Sequence, residues 1–246
     1  MGSFTNDWKK CKNCPIRHRA FCSRCEPDEF AKLESLKYYR TYNAGQTVVW
    51  AGDKMNFVAS VVTGTATLRE TLIDGRTLMV GLLLPADFLG RPGRSISPYE
   101  VTANTDLVLC CFRRNAFEKM MEEMPHIGRR LLEMSLDELD AAREWMLILG
   151  RKSAREKIAS LLVALAQRKK ALHQIGPNDR LNFHLPLTRE SVADYLGLTL
   201  ETVCRQISAL KRDRLIEIEG KRDIIVPDLT ALIREAGDDV GSYPSI

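Results

Sequence analysis

Long apolar runs are missing. Nowhere does the chain approach the ~18 uninterrupted apolar residues that a membrane-crossing helix needs, so no membrane partner is expected. The N-terminus lacks the apolar core of a secretory signal, which makes a cytoplasmic protein the expectation. Histidine is scarce: His18, His126, His173 and His184 are scattered, and none sits in an obvious haem pocket. No P-loop, nucleophile elbow or paired carboxylate cluster occurs, so no enzyme is expected. Charge of one sign does not dominate either. Thirty-six Lys and Arg face 32 Asp and Glu, and the resulting +4 would not by itself indicate nucleic acid.

At 246 residues, 45% of them apolar, the chain can bury one large core or two ordinary ones. Its basic residues cluster in the second half, at Arg151-Lys152, Arg168-Lys169-Lys170, Lys211-Arg212 and Lys221-Arg222. Its cysteines cluster at the other end. Cys11, Cys14, Cys22 and Cys25 form two CxxC pairs separated by seven residues, and Cys110, Cys111 and Cys204 lie far away. The arm contains nothing resembling a buried strand and is expected to take its shape from whatever the thiols bind. In a reducing compartment such spacing points to metal, not disulfides. From the arm alone, a four-thiolate zinc site and an iron–sulfur cluster both remain open, although the gap between the pairs is short for structural zinc.

After the arm, Pro27-Asp28-Glu29 opens a short helix with Phe30, Leu33 and Leu36 at spacing three. From Tyr39 to about Phe112, short runs rich in Val, Thr, Leu and Tyr alternate with turn signals roughly every ten residues, predicting an antiparallel barrel or roll. Asp74-Gly75 marks a tight hairpin. Helical periodicity then runs from near Asn115 to about Gly150, with Pro125 starting the main helix. Leu132, Ser135, Leu139, Ala142 and Met146 recur at alternating three and four. This seam packs either within its own domain or against a twin, and the small Ser135 and Ala142 favour a homodimer. Leu131, Met134, Glu138 and Trp145 flank it, and a flank of this kind can cover the roll. Gly150-Arg151-Lys152-Ser153 is the expected domain boundary, after which Ser153 and Glu156 form a capping box.

The most specific stretch is Leu187 to Leu215. Thr188 caps a short helix from Arg189 to Leu196, Gly197 ends it, and Thr199 caps a second helix to about Asp213: a helix-turn-helix. Val203, Ile207 and Leu210 face inward, while Glu201, Cys204, Arg205 and Ser208 share the opposite face. Arg can donate two hydrogen bonds to guanine, and Glu can accept from cytosine. Alone, an i, i+4 Glu/Arg pair is an ordinary solvated ion pair. Ile216 to Val226 reads as two strands around a basic turn, and with this wing the cassette points to double-stranded DNA.

The order of these parts, and Leu187-Thr188-Arg189-Glu190-Ser191-Val192-Ala193-Asp194-Tyr195-Leu196-Gly197 in particular, resembles the Crp/Fnr family of bacterial transcription regulators over nearly the full length. The implied fold is α+β: a cysteine arm (1–25), a β-roll (26–117), a dimerisation helix (118–150), a winged helix-turn-helix (151–235) and a tail (236–246). The FNR branch carries Glu-x-x-Ser-Arg in its recognition helix. Glu201 and Arg205 match, and Cys204 replaces the serine. The resemblance implies a dimer on a TTGAT-N4-ATCAA-type inverted repeat, with Thr188, Arg189, Thr199, Glu201, Cys204, Arg205 and Ser208 at the DNA. It also implies RNA polymerase as a partner, with the loops around Asp74-Gly75-Arg76 and Gly176-Asp179 as candidate contacts.

The family's cyclic nucleotide site needs a glutamate after a Gly-Asp-x-x-Gly turn and then an Arg-Ser pair. Here Ala86-Asp87-Phe88-Leu89-Gly90-Arg91 places Arg91 at the glutamate, Ser97-Pro98 replaces the pair, and Arg94-Ser95 is displaced, so no cyclic nucleotide is expected. Some members of the FNR branch share Cys-x2-Cys-x7-Cys in the arm. The resemblance therefore implies a 4Fe-4S cluster on Cys11, Cys14, Cys22 and Cys110, sensing oxygen for genes of low-oxygen metabolism. Counting back from Phe117 selects Cys110 over Cys111. In a strand the two face opposite ways, leaving Cys111 as a small buried hydrophobe and Cys25 spare. The alternative is a zinc arm on Cys11, Cys14, Cys22 and Cys25 in a regulator of another signal, such as thiol oxidation or haem-bound gas. Cys204, if exposed, is a second oxidisable position.

Overall fold

A computed structural model describes residues 6–174, 176 and 180–238. The first five residues, residues 177–179 of the Gly176–Asp179 loop and the tail from 239 lie outside the described part.

The chain divides into two compact units, one up to Met134 and one from Ser135 onward. In the first, the arm contains 3-10 turns at Cys11–Asn13 and Phe21–Arg24, followed by one at Pro27–Glu29 that is closed by a Glu26/Glu29 capping box. Helix α1 (Phe30–Leu36) leads into eight strands: β1 (Lys37–Tyr42), β2 (Thr47–Val49), β3 (Phe57–Thr63), β4 (Ala66–Thr71), β5 (Thr77–Leu83), β6 (Phe88–Leu89), β7 (Glu100–Ala103) and β8 (Leu107–Arg113). They form two four-stranded antiparallel sheets, ordered β1-β8-β3-β6 and β2-β7-β4-β5. The expected hairpin at Asp74-Gly75 joins β4 to β5. Between β3 and β4, Gly64 takes φ +82°, and a Cβ there would lie 2.1 Å from the Asp106 carbonyl, so this turn requires glycine.

Strand alternation separates two apolar clusters. Phe57, Ala59 and Val61 of β3 and Leu107, Leu109 and Cys111 of β8 point between the sheets. Val58, Cys110 and Phe112 point to the other face, where the arm, α2 (Arg114–Glu123) and the start of α3 (Pro125–Arg151) collect. The arm supplies a wedge to this second cluster. Phe21 lies edge-on to Phe112 at 5.5 Å and to Phe117 at 5.1 Å, with Phe88 at 5.8 Å. Ile16 and Ala20 are also buried. The expectation that only bound thiols give the arm a shape is therefore corrected. Three small or apolar side chains, Ile16, Ala20 and Phe21, seat it.

The helical pattern is interrupted where expected, α3 ending at Arg151 and Ser153 capping α4 (Ala154–His173) with both halves of the capping box made, but the two compact units divide earlier, between Met134 and Ser135, not at this expected domain boundary. Ile158, Leu161, Leu162, Leu165 and Ala166 are buried, as the stripe requires. Helices α5 (Arg189–Leu196), α6 (Leu200–Arg212) and α7 (Leu229–Glu235) follow, with a three-stranded sheet of order β10-β11-β9, built from β9 (Leu181–His184), β10 (Glu217–Glu219) and β11 (Asp223–Val226). Helix α3 serves both units. Its first half places Leu131 and Met134 on the arm cluster. In its second half Trp145 packs on Tyr195 at 4.9 Å.

Phe21→Ala removes a fully buried ring, and truncations of this kind cost roughly 3–5 kcal/mol. The expected result is a lower urea midpoint and faster proteolysis within residues 11–25. An unchanged midpoint would show that the arm is held by something else.

Candidate metal centre and nucleic-acid interface

Each CxxC pair is folded locally. The Cys14 amide donates to the Cys11 carbonyl at 3.3 Å, and the Cys25 amide to the Cys22 carbonyl at 3.1 Å. Cys110 stands opposite Tyr39 of β1 and Ser60 of β3, on the outer face of its sheet. The result is a small cavity, open at its mouth, whose walls include Cys11, Cys14, Cys22 and Cys110 together with Ile16, Phe21, Leu33 and Phe112. Four residues separated by up to 99 positions thus converge, and Cys25 is not among the cavity's lining. Cys111 is fully buried in the inter-sheet core, as a small hydrophobe.

Burial raises the pKa of every pocket thiol, that of Cys22 to about 12, and for Cys22 and Cys110 the neighbouring thiols add to the effect. One cation opposes this. Lys37 Nζ lies 3.2 Å from Cys11 Sγ and lowers that thiol, though less than burial raises it. Glu34 Oε1 accepts from the Cys11 amide at 2.7 Å and fixes the first pair. Lys37, Tyr39 and Glu34 were not singled out by sequence. They sit at the α1–β1 junction, and only the fold brings them to the cysteines.

Thiolates bound to one zinc ion at 2.3 Å stand about 3.8 Å apart. Among the described residues, the metal-ligating atoms that lie within 4.8 Å of one another belong to Cys25, Glu29 and His126. Neither Cys11, Cys14, Cys22 and Cys25 nor the four pocket thiols draw together so closely. Four thiols around a shared apolar cavity suit a body larger than one ion, and a cubane takes one cysteine per iron.

The arm is also tied to α3. Arg130 Nη2 donates to the Arg19 carbonyl at 3.1 Å, and Arg24 pairs with Glu133 at 2.9 Å. Beyond these contacts, the seam residues Leu132, Ser135, Leu139, Ala142 and Met146 are all exposed, Leu132 at 60% and Met146 at 74%. An apolar row exposed along one helix needs a partner.

At the other end of the chain, Thr188 and Thr199 cap their helices, accepting from the Ser191 amide at 3.0 Å and the Thr202 amide at 3.2 Å. Gly197 ends α5 at φ +62°, the left-handed cap expected of it. Val203, Ile207 and Leu210 are buried, while Glu201, Cys204, Arg205 and Ser208 are exposed together. Arg205 lies 3.6 Å from Glu201, a solvated pair worth little and easily exchanged for base contacts. Arg189 is half-buried. Its Nη1 is buried without a hydrogen-bond partner, and desolvation, with a smaller effect of Arg222 in the wing, lowers its pKa. The wing turn at Gly220-Lys221-Arg222 joins β10 to β11.

In the roll, Ala86 adopts φ +80° where the cyclic nucleotide motif has glycine, and Asp87 Oδ2 accepts from the Leu84 amide at 2.7 Å. Arg91 is exposed, and the Ser97 hydroxyl donates to the Tyr99 carbonyl.

The chain resembles known proteins over most of its length. Residues 156–235 match the Crp-like helix-turn-helix domain, and residues 39–124 match the cyclic nucleotide-binding domain. The transcriptional activator protein FnrL of Cereibacter sphaeroides is 66% identical over 94% of this chain and 93% of its own. The nitrogen fixation regulation protein FixK of Bradyrhizobium diazoefficiens is 36% identical over 85% of this chain and 86% of its own. Among solved structures, FixK2 from Bradyrhizobium japonicum aligns with a TM-score of 0.71 at 27% identity, covering 85% of this chain and all of that one.

Burial ranks the thiols. In metal-free, reduced protein, iodoacetamide is expected to label Cys204 first and Cys111 last, as read by peptide mass spectrometry. Equal rates for the two would contradict the placement of Cys111.

Proposed function

The chain belongs to the Crp/Fnr family of transcription regulators, Fnr type, and from that membership we propose that it responds to oxygen through a 4Fe-4S cluster held by Cys11, Cys14, Cys22 and Cys110. It is a DNA-binding transcriptional activator of the Fnr/FixK type, and regulators of this family are typically dimers. The observation that carries the proposal is the convergence of Cys110 with three arm cysteines on one cavity that Cys25 does not line. When bound, the cluster supplies an iron–sulfide centre that molecular oxygen can oxidise and dismantle.

The rest follows from the chain's own residues. Cys110 lies on the strand that runs directly into α2, and Phe21 wedges between Phe112 and Phe117 at that junction. Arg19 and Arg24 reach Arg130 and Glu133, on the turn of α3 that precedes Ser135 of the seam. An ordered arm therefore holds the first half of α3 in place, favouring association along Leu132, Ser135, Leu139, Ala142 and Met146. A released arm withdraws those contacts. The small Ser135 and Ala142 and the acidic Asp137, Glu138 and Asp140 keep the seam weak enough to be tipped.

A dimer presents two α6 helices to half-sites one DNA turn apart, ~34 Å. Arg205 and Glu201 read a TTGAT-N4-ATCAA-type repeat, Cys204 and Ser208 complete the reading face, and Arg189 and the Lys221-Arg222 turn meet phosphate. Thr188 and Thr199 act by aiming the two helices. RNA polymerase is engaged through the exposed Leu72–Arg76 turn of the roll, where Ile73 stands clear of the surface. No cyclic nucleotide takes part, since Arg91 stands where the ribose-binding glutamate is needed.

Single serine substitutions test the ligand set. Cys110→Ser is expected to abolish iron and acid-labile sulfide in protein prepared without air, while Cys25→Ser retains both. The reverse pattern would overturn the proposal and return the arm to a self-contained four-thiolate site. At the DNA, Arg205→Ala is expected to cost about 1–3 kcal/mol and relax preference at one base pair. Lys221→Ala is expected to weaken binding evenly across sequences and reduce the salt slope by about 1. Equal losses on specific and random DNA for Arg205→Ala would remove it from base reading.

A further inference from the structure

Cys25 leaves the cavity for company of its own. Its Sγ, a carboxylate oxygen of Glu29 and a ring nitrogen of His126 all lie within 4.8 Å of one another. Cys25 is buried at the end of the arm, Glu29 sits in the 3-10 turn before α1, and His126 is the second residue of α3. His126 Nε2 stands 3.0 Å from Glu29 Oε2, which also accepts from the Glu26 amide at 2.8 Å. A Glu–His hydrogen bond accounts for two of these groups but not for the third. Glu26 and Glu29 surround the Cys25 sulfur with negative charge. Burial and these carboxylates hold Cys25 as the neutral thiol in the absence of metal, and the same carboxylates favour a cation placed among the three groups.

We propose that Cys25, Glu29 and His126 form a second metal site, separate from the four-thiol cavity, that takes one divalent zinc ion and fastens the end of the arm to the first turn of α3. The donor set is one thiolate, one imidazole and one carboxylate, all of them ordinary zinc ligands, with water completing a tetrahedral shell. The ligands need to close modestly from their present spacing, and Glu29 and His126 are already in contact. Binding displaces the thiol proton of Cys25 to solvent, and His126 binds as the neutral tautomer protonated on Nδ1. No electron is transferred. The consequence is mechanical. Arg19 and Arg24 reach α3 only through hydrogen bonds and an exposed ion pair, whereas zinc would tie Cys25 and His126 by direct bonds.

The test uses the full chain prepared without air, titrated with Zn2+ alone against a competing chelator, with iron and acid-labile sulfide measured in parallel. The expected result is one zinc per chain. X-ray absorption should show a single sulfur neighbour at about 2.3 Å and lighter neighbours at about 2.0–2.2 Å. His126→Gln and Glu29→Gln leave every cavity thiol untouched and are expected to weaken zinc binding. Loss of a second-shell partner alone costs about 10- to 100-fold in metal affinity, so loss of a direct ligand should exceed that. Iron and sulfide should stay unchanged in both variants. His126→Cys is expected to restore zinc with two sulfur neighbours, an outcome that a merely structural histidine does not give. Absence of zinc binding, a shell of four sulfurs, or equal affinity in His126→Gln would overturn the proposal. Loss of iron and sulfide in the wild-type preparation would instead count against the cluster and leave the zinc result to be read by itself.

Discussion

The period of two along β8 is the constraint from which the four-thiol cavity follows. Cys110 and Cys111 are adjacent, and a strand must send them to opposite faces. Leu109 and Cys111 fill the space between the sheets, so Cys110 faces outward beside Tyr39 and Ser60, where the arm lies. A register slip of one residue would exchange the two thiols, burying Cys110 in the roll and leaving the arm with three cysteines and no fourth. Inter-sheet packing thus decides the chemistry of a site it does not touch. The same alternation turns Phe112 outward to meet Phe21, so one strand supplies both a thiol and the aromatic seat for the segment that carries the other three.

Holding the arm this way divides the work between permanent and conditional contacts. Phe21, Ile16 and Ala20 are buried with nothing bound to the thiols, and they keep the cysteines near Cys110. Burial, with the neighbouring thiols, leaves four thiols with raised pKa values around a largely apolar cavity, opposed less strongly by Lys37 and by backbone hydrogen bonds to Cys14 and Cys22. Such a group is most stable either fully protonated or bound to a strongly cationic centre, with little between. That makes it suited to two states. Exposed ion pairs such as Arg24–Glu133 contribute at most about 1 kcal/mol each, enough to bias α3 but not to fix it. An exposed seam on α3 can then respond to the arm without being locked by it.

Much of this was legible in the sequence because it is local. The helix-turn-helix is written in Thr188, Gly197 and Thr199, whose caps and turn need no distant partner, and the structure places each where its chemistry predicts. The capping box at Ser153 and the start of α3 at Pro125 were readable for the same reason. The cysteine end was readable only in part. Spacing showed which cysteines pair locally, while Cys110 needed the family resemblance to be chosen and the fold to be placed. Phe21, in a largely polar arm, gave no periodic signal. Glu29 and His126 are 97 residues apart, and nothing in either neighbourhood announces the other. Trp145 packs on Tyr195 of α5, a pairing across 50 residues that no spacing announces.

Light scattering on the full chain, prepared without air and then exposed to it, tests the central claim most directly. With iron and sulfide bound, the scattering mass should be twice that of the chain. After air has removed them, it should fall to a single chain, with loss of inverted-repeat DNA binding in step. A mass that stays the same while iron and sulfide are lost would contradict the link from Cys110 and the arm to the α3 seam.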